Sequence, residues 1–345
     1  MASLTRRRLL GGLAPLVGAA AAARLAGVPA PAGAARHEHG TDTAAGSAPG
    51  HTGDHAAFRR GGRVDHRANG FDPHAILRDF DEGRVRREGG RTVREWTLIA
   101  QDKSIEVAPG VHYDAWTFNG RVPGPTLRAK EGERLRIRFV NGSAHPHTIH
   151  FHGIHSPAMD GVPGLGAGLL QPGERTVYEF DAEPFGVHVY HCHAPPLASH
   201  IAKGLHGMFI VDPKEGRPPA DELVMVMNGF DTNFDRSNEV YAANTIPFAY
   251  MDEPIKVKQD ELLRLYLANM LEFDLVNSYH LHGNFFEYFP TGTSRKPAEF
   301  TDTVMQCQGQ RGILEWRFPT KGKFMFHAHQ SEFTELGWVG FFEVV

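Results

Sequence analysis

Four His-x-His pairs are spread along this chain in two sets of two, His150/His152 and His191/His193, then His280/His282 and His327/His329. In an extended strand alternate side chains share a face about 6.6 Å apart, so each pair aims both imidazoles the same way. The second pair brackets a cysteine in the string His191-Cys192-His193, and the same parity turns the thiol to the opposite face. One strand therefore touches two sites. His147 lies an odd number of residues from His150 and His152 and falls on the cysteine's side, and His200, eight residues beyond Cys192, can return by a loop to complete a trio. Only a chain built of strands can hold these parities, and only a multinuclear metal site needs so many pairs.

Two imidazoles and a thiolate make the trigonal set of a blue-copper electron-transfer site, whose fourth position is a weak axial ligand or none. Zinc also accepts Cys and His, but a structural zinc site more often shows two or more cysteines at short spacing, and none occur here. The donor set therefore reads as copper. With Cys192 in the metal set no disulfide is expected, and Cys307 reads as a packed strand residue.

The remaining folding signal is β. Leu135, Ile137 and Phe139 alternate with Arg136 and Arg138, and Leu263, Leu265 and Leu267 alternate with Arg264 and Tyr266, the period of strands with one buried face. Each segment precedes a histidine string, HTIHFHG in the first half and NSYHLHG in the second, while GVHVYHCHA and GMFIVDP are answered by GKFMFHAHQ and GFFEVV. The chain reads as a duplicated all-β unit. The second copy has Asn277 in place of His147 and Ala328 in place of Cys192, with Phe333 and Trp338 where a ligating histidine and an axial residue would follow. It has lost the thiolate trio but kept both histidine pairs, which argues against incidental core histidines.

At the N-terminus, Arg6, Arg7 and Arg8, an Ala/Gly-rich run broken by Arg24, and small residues around Ala32-Gly33-Ala34 read as a cleaved twin-arginine export signal over residues 1–35 rather than a membrane span. Residues 36–89 read as a disordered linker and N-terminal extension, with His37, His39, His51, His55 and His66 in a solvated tail. Signal removal takes away four arginines and no acids, moving the formal charge from −4 to −8. An acidic exported protein, secreted, periplasmic or at the cell surface, is a poor nucleic-acid binder, and no membrane attachment is expected after cleavage.

With FNGRVPGPTLRAKEGERL, HTIHFHG, MDGVPG, HCHAPPLASH, HLHGNFF and HAHQSEFTELGW, residues from about 90 onward resemble the two-domain multicopper oxidases, laccase-like relatives of copper nitrite reductase. The resemblance implies two tandem cupredoxin-like Greek-key β-sandwich or barrel domains, over residues 90–214 and 215–345. It implies four coppers per chain, one type 1, one type 2 and a type 3 pair. By position the type 1 ligands are His147, Cys192 and His200, with Leu205 in the axial slot and His206 as its rival. A non-ligating leucine there implies a three-coordinate copper of relatively high potential. The type 2 ligands are His150 and His280, and the type 3 ligands His152, His191, His193, His282, His327 and His329. In this family the halves of the cluster come from neighbouring subunits, which implies a homotrimer. Asp160 in MDGVPG matches an acidic residue that the family places near the cluster, where a carboxylate relays protons, although Asp-Gly is equally a turn signal. Glu332 and Glu335, after the last pair, are further carboxylate candidates.

The expected activity is laccase-like. A phenolic or similar donor gives single electrons to the type 1 copper at an exposed edge of His200, Cys192 passes them through the backbone to His191 or His193, and dioxygen is reduced to water at the cluster. The alternatives are a copper nitrite reductase and a non-catalytic cupredoxin acting as electron carrier or copper store. Nitrite reductases carry aspartate where this chain has His150 and no second histidine where it has His193. A carrier gives no reason for the second copy to keep four histidines.

Overall fold

The alternating segments form two β-sandwiches in the computed structural model, which describes residues 63–345. The export-signal reading and the linker up to residue 62 lie outside the described residues. The first sandwich comprises β1 (Phe80–Asp81), β2 (Arg84–Glu88), β3 (Arg91–Ala108), β4 (Val111–Phe118), β5 (Thr126–Lys130), β6 (Arg134–Asn141), β7 (His150–Phe151), β8 (Arg175–Asp181), β9 (Gly186–His191) and β10 (His206–Asp212). The second comprises β11 (Asp221–Phe230), β12 (Val240–Ala243), β13 (Ile255–Val257), β14 (Leu263–Asn269), β15 (Val276–Leu281), β16 (Phe286–Pro290), β17 (Glu299–Thr301), β18 (Thr303–Cys307), β19 (Arg311–Trp316), β20 (Gly322–His327) and β21 (Val339–Val344). Short helices punctuate the strands: α1 (His66–Asn69), α2 (Pro73–Ile76), α3 (Leu197–Ala202), α4 (Ala249–Asp252) and α5 (Ser331–Glu335). Among the described residues no helix is long and apolar enough to cross a membrane.

In the first sandwich the sheet β1-β5-β10-β9-β7 packs on the sheet β2-β3-β6-β8, with β4 paired to β3. Leu135, Ile137 and Phe139 of β6 point inward with Leu127, Tyr178, Tyr190 and Phe209, as their alternation requires. In the second, the sheets β12-β11-β14-β19-β16-β17 and β13-β21-β20-β15-β18 enclose Leu263, Leu265 and Leu267 with Tyr279, Phe326 and Trp338.

Strand β14 departs from the half-exposed reading. Every residue in it is buried, because its other face, with Tyr266 and Ala268, packs against Val187, Val189, Met208 and Ile210 of the first sandwich. The two sandwiches thus share a third, sheet-on-sheet core. Arg264 sits in this face only 2% exposed at its side chain, held by Glu222 at 3.0 Å and Glu315 at 2.5 Å. Arg128 joins Asp212 of the first sandwich to Glu222 of the second, each at 2.6 Å. Burial alone would raise the Glu222 carboxyl, but Arg128, Tyr266 and Arg264 outweigh it and hold the group below its ordinary range. This contribution to stability is present above that range and is lost as pH falls below it, through the lowered value of the folded state.

Two expectations are corrected. From residue 63 the N-terminal extension is structured: Asp65 caps α1, β1 runs parallel to β5, β2 pairs antiparallel with β3, and Ile76 and Leu77 are buried. Its few apolar residues have no period of their own, and surfaces supplied by distant segments seat them. Cys307 does lie in a strand, but it is exposed, because β18 turns Val304 and Gln306 inward and Met305 and Cys307 outward.

Ile313 is fully buried in the core between the sandwiches. Ile313→Ala should cost about 2–5 kcal/mol, read from urea denaturation of the copper-free protein. A cost near that of an exposed site would mean that the two sandwiches do not share this core in solution.

Candidate metal centre

Strand β9 ends at His191, and the chain runs on through Cys192 and His193 to α3, which carries His200. All of β9 is buried: Val187 and Val189 face the second sandwich, while Tyr190 and Cys192 join the core of the first. Cys192 Sγ lies 3.2 Å from His200 Nδ1 and 3.7 Å from His147 Nδ1, and the two nitrogens are 3.1 Å apart. Three donors bound to one ion at about 2.0–2.3 Å with trigonal angles stand about 3.5 Å from one another, so this triangle fits an ion, and its two nitrogens and one sulfur fit copper. Burial lowers His147 to about 3 and His200 to about 4, keeping both imidazoles neutral, and raises the Cys192 thiol to about 11. A soft cation must displace that proton to bind. The backbone N–H groups of Thr148 and Ala194 point at the sulfur from 3.4 and 3.5 Å.

Leu205 is fully buried in the same core as Cys192 and offers only hydrocarbon. His206 pairs with His191 across β9 and β10. Directly opposed residues share a face, so His206 lies on the side away from Cys192. The turn between His200 and Leu205 depends on Gly204, whose φ is +110° and where a Cβ would come within 2.4 Å of Val122.

The paired histidines form two matching half-sites. In the first, His152 Nε2 and His191 Nε2 are 2.9 Å apart, and in the second His282 Nε2 and His327 Nε2 are 2.9 Å apart. His191 Nδ1–H donates to the Cys192 carbonyl at 2.8 Å, and His327 Nδ1–H donates to that of Ala328. His150 Nδ1 meets the Asp160 carbonyl at 2.9 Å and its carboxylate at 2.8 Å, while His280 Nδ1 meets the Asp302 carbonyl at 3.0 Å and Thr303 Oγ1 at 2.8 Å. Tying Nδ1 in this way leaves the Nε2 lone pair for a metal. The backbone N–H of His193 is held by Thr148 Oγ1 and that of His329 by Ser278 Oγ, and the two rings stand 5.5 Å from His150 and 5.3 Å from His280 respectively. Burial lowers His152 to about 3 and His191 to about 4, and pushes His282 and His327 down as well. Among the described residues, no ring contact or ligand cluster joins a histidine of the first set to one of the second.

Asp160 is both turn residue and site residue. A Cβ on Gly161 would fall 1.8 Å from the Ile149 carbonyl, so glycine is required there, and the resulting turn sets Asp160 against His150. His155 shares that carboxylate at 3.7 Å. Glu332 is placed differently: it is exposed on α5, where its charge acts on Tyr241, and it joins no ligand cluster among the described residues. Glu335 is exposed on the same helix. The expected exposed edge of His200 is also absent. His200 is 3% exposed and His147 fully buried, because the Trp116 ring packs on both.

Sequence reasoning missed Ser143, Asp302 with Thr303, and Trp116. The Ser143 hydroxyl donates to Asp102 at 2.6 Å and accepts from His147 Nε2–H at 2.9 Å, which leaves His147 Nδ1 for the metal. Asp302 and Thr303 meet His280 only because β18 pairs with β15, so, like Ser143 and Trp116, they carried no signal beside the histidine string.

Residues 100–216 and residues 217–345 each match a family described as multicopper oxidase. A solved structure described as a multicopper oxidase is 62% identical, covering 82% of this chain and 100% of its own, with a TM-score of 0.81. The blue copper oxidase from Nitrosomonas europaea is 28% identical, covering 73% of this chain and 86% of its own, with a TM-score of 0.65. The copper-containing nitrite reductase of Neisseria meningitidis is 28% identical over 66% of this chain, which spans 63% of that relative's length. Both family matches run through the half-sites, and the chain belongs to the multicopper oxidase family.

Proposed function

We propose that the protein is an exported laccase-like oxidase that takes single electrons from a phenolic or similar donor and reduces dioxygen to water. The observation that carries this reading is the pair of matching half-sites, each with imidazole nitrogens 2.9 Å apart, beside one buried thiolate trio. Copper held in these sites supplies one-electron acceptance from the donor and four-electron reduction of dioxygen. The chain's own contribution is order. Cys192 belongs to the trio while its backbone neighbours His191 and His193 belong to the first half-site, so a short covalent path joins the two. Ser143 fixes the tautomer of His147, and the Asp160 carboxylate, 2.8 Å from His150 Nδ1, is placed to relay protons.

Each half-site is incomplete for a cluster, and the two sets do not meet within the described chain. This supports clusters formed between copies, the first-domain half of one against the second-domain half of the next, in a homotrimer. His282 is exposed, and Phe285, three residues on, stacks with Phe300, the two rings being 54% and 71% exposed, as a face covered by another copy would leave them. Nitrite reduction is the second reading, favoured by the Neisseria relative; it leaves several of the paired histidines without a role.

The copper-loaded protein should hold about four coppers per chain, show a strong thiolate-to-copper absorption and consume oxygen when a phenol is added. About two coppers, with nitrite rather than oxygen consumed, would replace the oxidase by the reductase. Cys192→Ser should abolish the absorption and donor oxidation while about three coppers per chain remain; loss of all copper would overturn the division of ligands. A chain carrying His152→Ala and His191→Ala and another carrying His282→Ala and His327→Ala should each lack oxygen uptake alone and regain part of it when co-expressed. No recovery in mixed oligomers would place both halves of a cluster in one chain.

A further inference from the structure

Direct access to the buried trio is closed at its histidines, and Trp116 lies over them. Its ring is centred 4.6 Å from that of His200, 5.2 Å from that of His147 and 4.7 Å from that of His145. Trp116 is partly exposed and lines an open cavity of about 590 Å³ together with Asp102, Asp114, His145 and Lys203, a size suited to a small organic molecule. The hairpin of β3 and β4 sets Asp102 opposite Trp116 and Ser104 opposite Asp114, so these four side chains share one face.

The polar groups of the cavity are not equivalent. Lys203 Nζ donates to the Asp114 carbonyl at 2.9 Å while lying 5.2 Å from the centre of the Trp116 ring, and Lys103 Nζ donates to the Gly120 carbonyl at 2.8 Å. The Asp102 carboxylate accepts from Ser143 Oγ at 2.6 Å and from Ala144 N–H at 2.8 Å. Among the described residues the exposed Asp114 carboxylate accepts no hydrogen bond. The cavity thus combines a half-open aromatic face, in ring contact with both buried imidazoles, and an acceptor left over for an O–H donor.

We propose that this cavity is the docking site of the reducing donor: a small phenol whose ring packs on Trp116 and whose hydroxyl donates to the Asp114 carboxylate, without touching His200. This rests on the oxidase reading and adds where the donor sits and which groups select it. An aromatic ring with one hydrogen-bond donor satisfies both the ring face and the carboxylate, while Lys103 and Lys203 balance the charge of Asp102 and Asp114 in the lining.

The test is calorimetric titration of 2,6-dimethoxyphenol into copper-loaded protein, reduced with dithionite and kept free of oxygen so that no turnover occurs, alongside aerobic kinetics. Saturable binding is expected. Trp116→Ala should weaken it about ten-fold, Trp116→Phe should recover most of the loss, and Asp114→Asn should weaken it about three- to five-fold. In all three the blue absorption should persist on reoxidation, and KM should rise by more than kcat falls. Absence of saturable binding in the unaltered protein, or variants that bind the phenol and show KM as before, overturns the cavity assignment. If the variants are unchanged while the unaltered protein still consumes oxygen with phenol, the cavity alone is wrong. If the unaltered protein consumes no oxygen with any phenol, the oxidase reading fails, and binding that depends on Trp116 separates that failure from the first.

Discussion

The two-residue period of a strand, applied at the end of β9, organises the metal chemistry of the chain. It sends Cys192 into the core of the first sandwich with Tyr190, and His191 to the face shared with Val187 and Val189. A single-residue shift in register would exchange those faces and leave the thiol among the paired histidines. The register is therefore fixed from both sides. On one face Tyr190 packs with Phe118 and Phe151, and on the other the strand meets the sheet of the second sandwich. Burial of every residue of β9 is the condition for two sites to be served by one strand.

Burial also prepares the ligands. Burial holds the imidazoles neutral and the thiol protonated, and hydrogen bonds to the distal nitrogens choose which atom is left for a metal. His147 is set by Ser143, His150 by Asp160, His191 by a carbonyl, and His280 by Asp302 and Thr303. Tautomers fixed in this way leave little reorganisation when a cation arrives. The same packing that prepares the trio closes it, and Trp116, partly exposed, is the ring that lies against both of its histidines.

Duplication explains the asymmetry between the halves. Ser278 answers Thr148 in holding the strand after the second pair, and His282 and His327 repeat the spacing of His152 and His191. Where the trio stood, the second copy has Asn277, Ala328, Phe333 and Trp338, all buried, so ordinary core replaces a metal site without disturbing the half-site on the other face. The outer faces of two sandwich sheets, freed to bury each other, form the joint core in which Arg264 is neutralised by Glu222 and Glu315.

The local pattern of the sequence was enough for the all-β class and the parity of the histidine pairs, which follow from a period of two residues along a strand, and its echoed strings were enough for the repeat; His200 joins His147 and Cys192 by way of the loop and helix α3 that follow β9. The pattern could not supply contacts between segments far apart in the chain. The alternation of Leu263, Leu265 and Leu267 says which face meets its own core, but only the neighbouring sandwich decides that Arg264 and Tyr266 are buried too. Asp160 was visible beside its histidine string, whereas Asp302 is brought to His280 only by the pairing of β15 with β18, and Glu332, three residues past His329, is exposed on α5. The extension around Ile76 and Leu77 has no period to read and is ordered by surfaces from β5 and β11. The sequence by itself determined which residues can be ligands, since ligand chemistry and strand parity are local. The tertiary structure decided what covers and orients them, since Trp116 and Asp302 reach the sites only through the packing of strands that the chain order keeps apart.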